Sequence, residues 1–394
     1  MIHADISSIR FGDLRVLIVD DSRQSLLIAS SILRKQGITQ IFFAENGQQA
    51  LTAAMEHLPD LILLDLLMPQ LDGYAFCRAI RQQPGFQETP IIVQTGVEDA
   101  NGLAQAFEAG ASDFVRKPIH ASELIARTKV HLERLALLKI INTQNRQFKD
   151  ELQAAKVMQE MILPSTTTVH ELQTNYHLDL AVHHQPCQSL SGDLWSAFAL
   201  DDHQIAFYQV DFSGHGILAA MNSFRFHALT QARLLPSNEP GAYLDKLNHS
   251  LRDVLPRHCF ATIFYGVLDT KRSELRYATA AHTAPIILRK CGALESLNAH
   301  GFPLSAVSQA NYETRCTEFN SGDQLLLYSD ALVERWEGFD ETSLHALMQQ
   351  TTSLVRKNTS SAHDMLEHIL ASFNESRGFV PLEDDLSIIV IRRH

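Results

Sequence analysis

Residues 15–125 alternate short, wholly apolar runs with stretches in which apolar side chains recur every three or four positions. Arg15–Asp21 reads Arg-Val-Leu-Ile-Val-Asp-Asp, an apolar run closed by paired acids. The spacing from Ser25 to Gln36 predicts a helix that stops at Gly37. A strand over Ile41–Ala44, an Asn46-Gly47 turn and a helix through His57 follow. Further strands are expected at Leu61–Leu64, closed by Asp65, and at Ile91–Gln94 and Asp113–Val115. Continuous apolar strands between amphipathic helices predict an α/β doubly wound parallel sheet, covered on both faces. Such sheets place ligands beyond the carboxyl ends of their strands. Asp20, Asp21, Asp65, Thr95 and Lys117 all fall there.

The pattern then changes. From Ser122 to Leu163 there is neither glycine nor proline, a span longer than an ordinary globular helix. A heptad reading puts Leu138, Ile141, Asn145, Phe148, Leu152, Ala155, Gln159 and Ile162 on one stripe, the seam of a coiled coil. Its polar Asn145 is of the kind that fixes register. A parallel homodimer is expected, because exposed Phe148 and Leu152 otherwise lack a partner; a long helix packed on its own chain is the alternative. Pro164 ends the stretch.

Beyond it, alternation with period two dominates. Strands are expected at Leu178–His183, Ile205–Val210, Phe260–Leu268, Leu275–Ala280, Ile286–Leu288, Gln324–Tyr328 and Leu386–Ile391. Helices are expected near Gly216–Leu234 and Pro240–Val254, with a helical stretch between Glu341 and Phe373. This mixed order predicts an α+β sandwich of sheets flanked by helices. The expected division is therefore 13–121, a helical or coiled-coil linker over 122–163, and 164–394.

Composition narrows the function classes. The 394 residues are 45% hydrophobic and 20% charged, ordinary for folded domains, and too many for one core. A net charge of −12 argues against nucleic acid as a partner. Five cysteines without CxxC spacing suggest a reducing, cytoplasmic setting. No apolar stretch nears the ~18 residues of a membrane span, and no membrane role is expected.

The acids carry the chemistry. Clustered Asp20, Asp21 and Asp65 repel one another unless a cation such as Mg²⁺ offsets them. Asp65 could then attack phosphorus, with Thr95 and Lys117 holding the phosphoryl oxygens. Lys117 precedes Pro118, where a cis bond could aim the lysine into the site. In the last module Asp193, Asp211, Asp330 and Asp384 stand beside or between predicted strands. Four carboxylates suit two Mg²⁺ or Mn²⁺ ions and suit zinc poorly.

Residues 13–125 resemble the response-regulator receiver family. The likeness rests on Val19-Asp-Asp-Ser22, Leu64-Asp-Leu-Leu-Met-Pro69 with Asp72-Gly73, Gln94-Thr-Gly96 and Phe114-Val-Arg-Lys-Pro118. It implies a flavodoxin-like receiver with Asp65 as phosphoacceptor, charged by a sensor histidine kinase or phosphotransfer protein. Asp21, Asp65 and the Leu67 carbonyl would hold Mg²⁺, Asp20 would help through water, and Thr95 with Phe114 would be the switch pair.

Residues 150–394 resemble the SpoIIE-type branch of the metal-dependent PPM (PP2C-like) serine/threonine phosphatases. The matching pieces are Ala155 with Gln159 and Leu163-Pro164, Ser191-Gly192-Asp193, Asp211-Phe-Ser-Gly-His-Gly216, Leu247-Asn248, Ala261-Thr262, Ala281-His282, Gly322-Asp323 through Tyr328-Ser-Asp330, Glu334, and Asp384-Asp385. The resemblance implies that Asp211 bridges two ions with the Phe212 carbonyl as a further ligand. Asp193 would serve one ion, and Asp330 with Asp384 the other. A water between the ions would be the nucleophile. The implied substrate is a phosphoprotein similar to an anti-sigma-factor antagonist, or a sigma factor. Three positions depart from the family's glycines: Ser191, Ala281 and Ala331. They are expected to tilt a ligand or narrow the cleft. The order receiver, linker, phosphatase is also that of the regulators of sigma-S proteolysis. That likeness implies the alternative function, a non-enzymatic adaptor delivering a sigma factor to a protease.

Overall fold

A computed structural model of the chain describes residues 14–96, 100–232, 237–256, 258–298, 300–333, 344, 361–378 and 380–394. It divides into two compact units, residues 1–148 and 149–394.

In the first unit, strands β1 (Arg15–Val19), β2 (Gln40–Ala44), β3 (Leu61–Asp65), β4 (Ile91–Thr95) and β5 (Asp113–Arg116) form a parallel sheet of order β2-β1-β3-β4-β5. Successive side chains point to opposite faces. Leu17, Val19, Ile62 and Leu64 therefore enter one core, and Val16, Ile18, Leu61 and Leu63 the other. Helices cover both faces, which is why the strands read as unbroken apolar runs. They are α1 (Arg23–Arg34), α2 (Gly47–His57), α3 (Gly73–Arg81), α4 (Ala100–Glu108) and the first turns of α5 (Ala121–Glu160). The expected Asn46-Gly47 turn is the start of α2. The Asn46 side chain accepts a hydrogen bond from Gln49 N at 2.9 Å and caps the helix.

The long helix is present, but its stripe is divided. Leu124 and Leu132 are buried against the first sheet, and Lys139 Nζ lies 2.7 Å from Asp60 Oδ1. At the other end Gln159 is buried in the second unit. Gln159 is therefore not a seam residue, because its amide is used inside its own domain. Between these ends Ile141, Asn145 and Phe148 remain exposed, so only the middle of the stripe is open to a partner.

The second unit holds two five-stranded antiparallel sheets. One has the order β13-β10-β9-β8-β7: Arg315–Glu318, Glu274–Ala280, Ala261–Asp269, Gln204–Phe212 and Leu194–Ala199. The other runs β12-β11-β14-β15-β6: Leu294–Ser296, Ile286–Leu288, Gln324–Tyr328, Leu386–Arg393 and Leu178–Gln185. Phe207, Phe264 and Tyr277 of the first sheet meet Ile287, Leu325, Leu327 and Ile389 of the second in one core. Their alternating neighbours face outward. Ala206, Tyr208 and Val210 pack under α7 (Ile217–Ala232) and α8 (Pro240–Arg252). Ile388 and Val390 pack under a helix at Ala362–Arg377. Each fully buried side chain of this kind contributes about 1.5–3 kcal/mol relative to exposure. The result is an α-β-β-α sandwich, as the mixed order predicts.

Four elements were not expected: α6 (Thr166–Tyr176), β7, β12 and β13. Of the expected helical stretch from Glu341 to Phe373, the structure shows the part from Ala362. The remainder, apart from Leu344 and Ser361, lies outside the described residues, as does Glu334.

Candidate functional sites: two carboxylate clusters

The first cluster lies at the carboxyl ends of the parallel strands. Asp20 and Asp21 follow β1, Asp65 closes β3, Thr95 closes β4, and Lys117 follows β5. Carboxylate oxygens of Asp20, Asp21 and Asp65 lie within 4.8 Å of one another. Asp20 and Asp65 are buried, whereas Asp21 is exposed. Lys117 Nζ lies 2.7 Å from Asp65 Oδ2 and 3.0 Å from Asp20 Oδ2, so it neutralises part of the charge. The bond before Pro118 is cis. Burial raises the Asp65 pKa, the hydrogen bond and charge of Lys117 lower it, and burial wins. Burial opposes the charge on Lys117, yet its bonds to Asp65 and Asp20 hold its pKa above the usual lysine value.

Leu67 follows in the bend after β3, its N–H 3.4 Å from Asp65 Oδ1 and its side chain exposed. Phe114 sits edge-on to Phe107 at 6.3 Å. The Arg127 guanidinium of α5 lies 4.9 Å over its other side, held by Asp113 and Glu123. The expected receiver residues are thus brought together by one sheet edge.

The second cluster is assembled from both sheets of the sandwich. Asp193 immediately precedes β7, and Leu194 pairs with Val210, which places Asp193 beside Asp211 on the neighbouring strand. Asp330 opens a 3-10 turn after β14, and Asp384 stands just before β15. Asp193 is 1% exposed, and neither carboxylate oxygen meets a donor in good hydrogen-bond geometry, although Ser387 and Asp211 lie close beside it. Burial, then the charges of Asp211 and Asp385, push its pKa far up. Burial, with Asp330, Asp384 and Asp385 nearby, raises Asp211 to about 8. No cation is among the groups acting most strongly on either. Among the described residues, no three carboxylates here approach as closely as those of the first cluster.

Buried acid oxygens without a donor or a cation are costly. This set fits hard divalent cations: Asp193, Asp211, Asp330 and Asp384, with the Phe212 carbonyl following Asp211.

Asp385 does different work from its neighbour. Its carboxylate accepts from Cys187 N at 2.8 Å, Ser191 Oγ at 2.9 Å and Gly192 N at 2.6 Å. It anchors the loop that presents Asp193. Gln159 clamps the same loop: its Nε2 donates to Ser191 O at 2.7 Å and its Oε1 accepts from Ser191 N at 3.0 Å. It also reaches Ser223 Oγ of α7 at 3.1 Å. The sequence signal for both was the match to a family motif; nothing in their spacing assigned these bonds.

The three glycine departures have different consequences. Ser191 needs no left-handed backbone and joins the loop through its hydroxyl, which donates to Asp385 and accepts from Asp193 N at 3.0 Å. Ala331 lies within the 3-10 turn, again without positive φ. Ala281 has φ of 54°, so the strain that glycine relieves is present at that position.

Residues 16–129 match the response regulator receiver domain model, and residues 201–394 match that of stage II sporulation protein E (SpoIIE). The chain carries a response-regulator receiver domain followed by a SpoIIE-type domain. The response regulator MtrA of Mycolicibacterium smegmatis, a DNA-binding one, is 38% identical over 120 residues, 30% of this chain and 51% of that protein. The chain thus spans about half the length of the curated relatives it matches. The signal receiver domain of a histidine kinase from Syntrophus aciditrophicus is 35% identical, covering 30% of this chain and 89% of that one, with a TM-score of 0.29. The SiaA-PP2C domain of Pseudomonas aeruginosa is 18% identical over 64% of this chain and 98% of that one. Its TM-score of 0.55 shows a shared fold. In this two-domain chain the PP2C-like fold of the second domain is the four-layer sandwich; the receiver acids lie within the first matched segment, and Asp211, Asp330 and Asp384 lie within the second, with Asp193 just ahead of it. Among the described residues, no helix is long and apolar enough to cross a membrane.

Proposed function

We propose that this response regulator is a metal-dependent protein serine/threonine phosphatase whose activity is set by phosphorylation of Asp65. The observation that carries the reading is Asp193: buried, without a well-formed hydrogen bond, and packed among Asp211, Asp385 and their neighbours. Two Mg²⁺ or Mn²⁺ ions bound there would polarise phosphoryl oxygens and lower the pKa of a water. The carboxylates orient that centre, and the Asp385–Gln159 clamp fixes the loop bearing Asp193. No side-chain nucleophile is required.

In the receiver, Asp65 takes the phosphoryl group from a histidine kinase or phosphotransfer protein, with one Mg²⁺ held by Asp21, Asp65 and the Leu67 carbonyl. Lys117 neutralises the phosphoryl oxygens, and Thr95 with Phe114 responds. Arg127 already holds Phe114 against α5, whose last turn carries Gln159. A rotation of that helix reaches the Asp193 loop by a continuous covalent route. The exposed middle of the helix, Ile141 to Phe148, supports a homodimer in which two such helices turn together. The substrate is a phosphoserine or phosphothreonine protein of the anti-sigma-factor-antagonist kind, and the setting cytoplasmic.

Phosphate release from such a phosphoprotein, measured with Mn²⁺ before and after acetyl phosphate treatment, tests the proposal. Turnover that changes with treatment, and stays constant in Asp65→Asn, is the expected result. Absence of turnover at any phosphorylation state would leave the sigma-factor adaptor as the better account.

A further inference from the structure

The first turn of α7 is apolar all round, which ordinarily marks a buried helix. Ala219 and Ala220 are indeed buried, but Leu218 is 78% exposed, Met221 45% and Ile217 44%. Phe260 is 40% exposed. These side chains lie on either side of the loop that follows Asp211. A Cβ added at Gly192 would come within 2.9 Å of Ala219 Cβ and 3.2 Å of Phe212 O, so the helix start abuts the residue before Asp193. Phe260 is tied to the same loop by two hydrogen bonds, Ser213 N to Phe260 O at 3.0 Å and Phe260 N to Ser213 Oγ at 3.2 Å.

We propose that Ile217, Leu218, Met221 and Phe260 form the part of the substrate site that takes apolar residues flanking the phosphorylated serine or threonine. The inference rests on the phosphatase reading, because a phosphoryl group held at Asp193 and Asp211 brings its neighbouring residues onto this rim. The chemistry of the rim selects the occupant. The side chains of Ile217, Leu218, Met221 and Phe260 offer no charge or hydrogen bond to a polar flank, and the exposed Arg225, one turn beyond Met221, is engaged by Asn222 Oδ1 at 3.1 Å. An apolar side chain, by contrast, removes Leu218 and Phe260 from water.

The test uses the full chain with Mn²⁺ and two phosphoserine peptides that differ only in carrying leucine or glutamate on each side of the phosphoserine. p-Nitrophenyl phosphate, which has no flanking residues, is run in parallel. The leucine peptide should be favoured in kcat/KM by about tenfold or more, chiefly through KM, the scale at which one apolar contact discriminates. Leu218→Ser and Phe260→Ser should each cut that preference to about threefold or less by raising KM for the leucine peptide. Met55→Ser, an exposed apolar change in the receiver, should keep it. Equal use of the two peptides, or a preference that survives both rim substitutions, overturns the assignment while p-nitrophenyl phosphate hydrolysis still upholds the phosphatase. Loss of all three hydrolyses in the unaltered chain removes the phosphatase reading and the rim with it.

Discussion

The two acid clusters solve the same electrostatic problem differently. In the receiver, three carboxylates sit tightly together, but Lys117 reaches two of them and Asp21 is exposed to water. That cluster tolerates an empty state, as a site charged and discharged in turn requires. In the SpoIIE-type domain, Asp193 is buried and Asp211 half-buried, neither has a cation among its strongest neighbours, and both are pushed toward the protonated form. This cluster is held either by protons or by metal. On the proposed reading, the internal lysine separates a switch from a metal centre.

The contrast can be broken at several points. The largest effect belongs to the receiver: Asp65→Asn should abolish hydroxylamine-sensitive phosphoryl labelling, and undiminished labelling would remove Asp65 as acceptor. Next, Asp211→Asn should lower Mn²⁺-dependent phosphate release about 10²–10⁴-fold. Loss confined to a few-fold would mean that Asp211 is not shared between ions. Asp385→Ala removes a charged acceptor from three donors, each such bond being worth about 1.5–3 kcal/mol. A drop of at least that size in urea-unfolding stability is expected, and no change would deny the anchor.

The smallest effect is one of pH. Burial and the neighbouring acids raise the Asp211 pKa from the ordinary carboxylate value of 3.8 to about 8, so between those limits the metal-free native state keeps a proton that the unfolded chain has lost. Stability therefore falls as pH rises from about 4 to 8, and Mn²⁺ should reverse the fall at the upper end. Thermal melting in EDTA and in Mn²⁺ across this range checks the sign.

Legibility in the sequence followed from how local each signal was. The receiver strands β1, β3 and β4 are largely apolar on both faces and end at or beside a functional residue, so strand and site were read together. Asp193, Asp211, Asp330 and Asp384 were legible by motif, but their gathering depends on strand pairing such as Leu194 with Val210. β13 reads Arg-Cys-Thr-Glu, a polar edge strand with no period-two apolar signal, and β12 has three residues. Gln159 was placed on a coiled-coil seam because helical spacing there agrees with the heptad. Only the tertiary fold shows its amide turned to Ser191. Asp385 was indistinguishable from Asp384 by position alone, and hydrogen bonding separates an anchor from a candidate ligand.

The central claim is that the cluster without an internal lysine holds two metal ions, where the lysine-balanced one holds a single ion. Calorimetric titration of Mn²⁺ into the full chain, repeated with Asp211→Asn, tests it most directly. The account predicts binding at both clusters in the unaltered chain, with the component lost in Asp211→Asn accounting for two ions and the receiver's single site retained. A single site that survives Asp211→Asn unchanged, with nothing further at millimolar Mn²⁺, would contradict it.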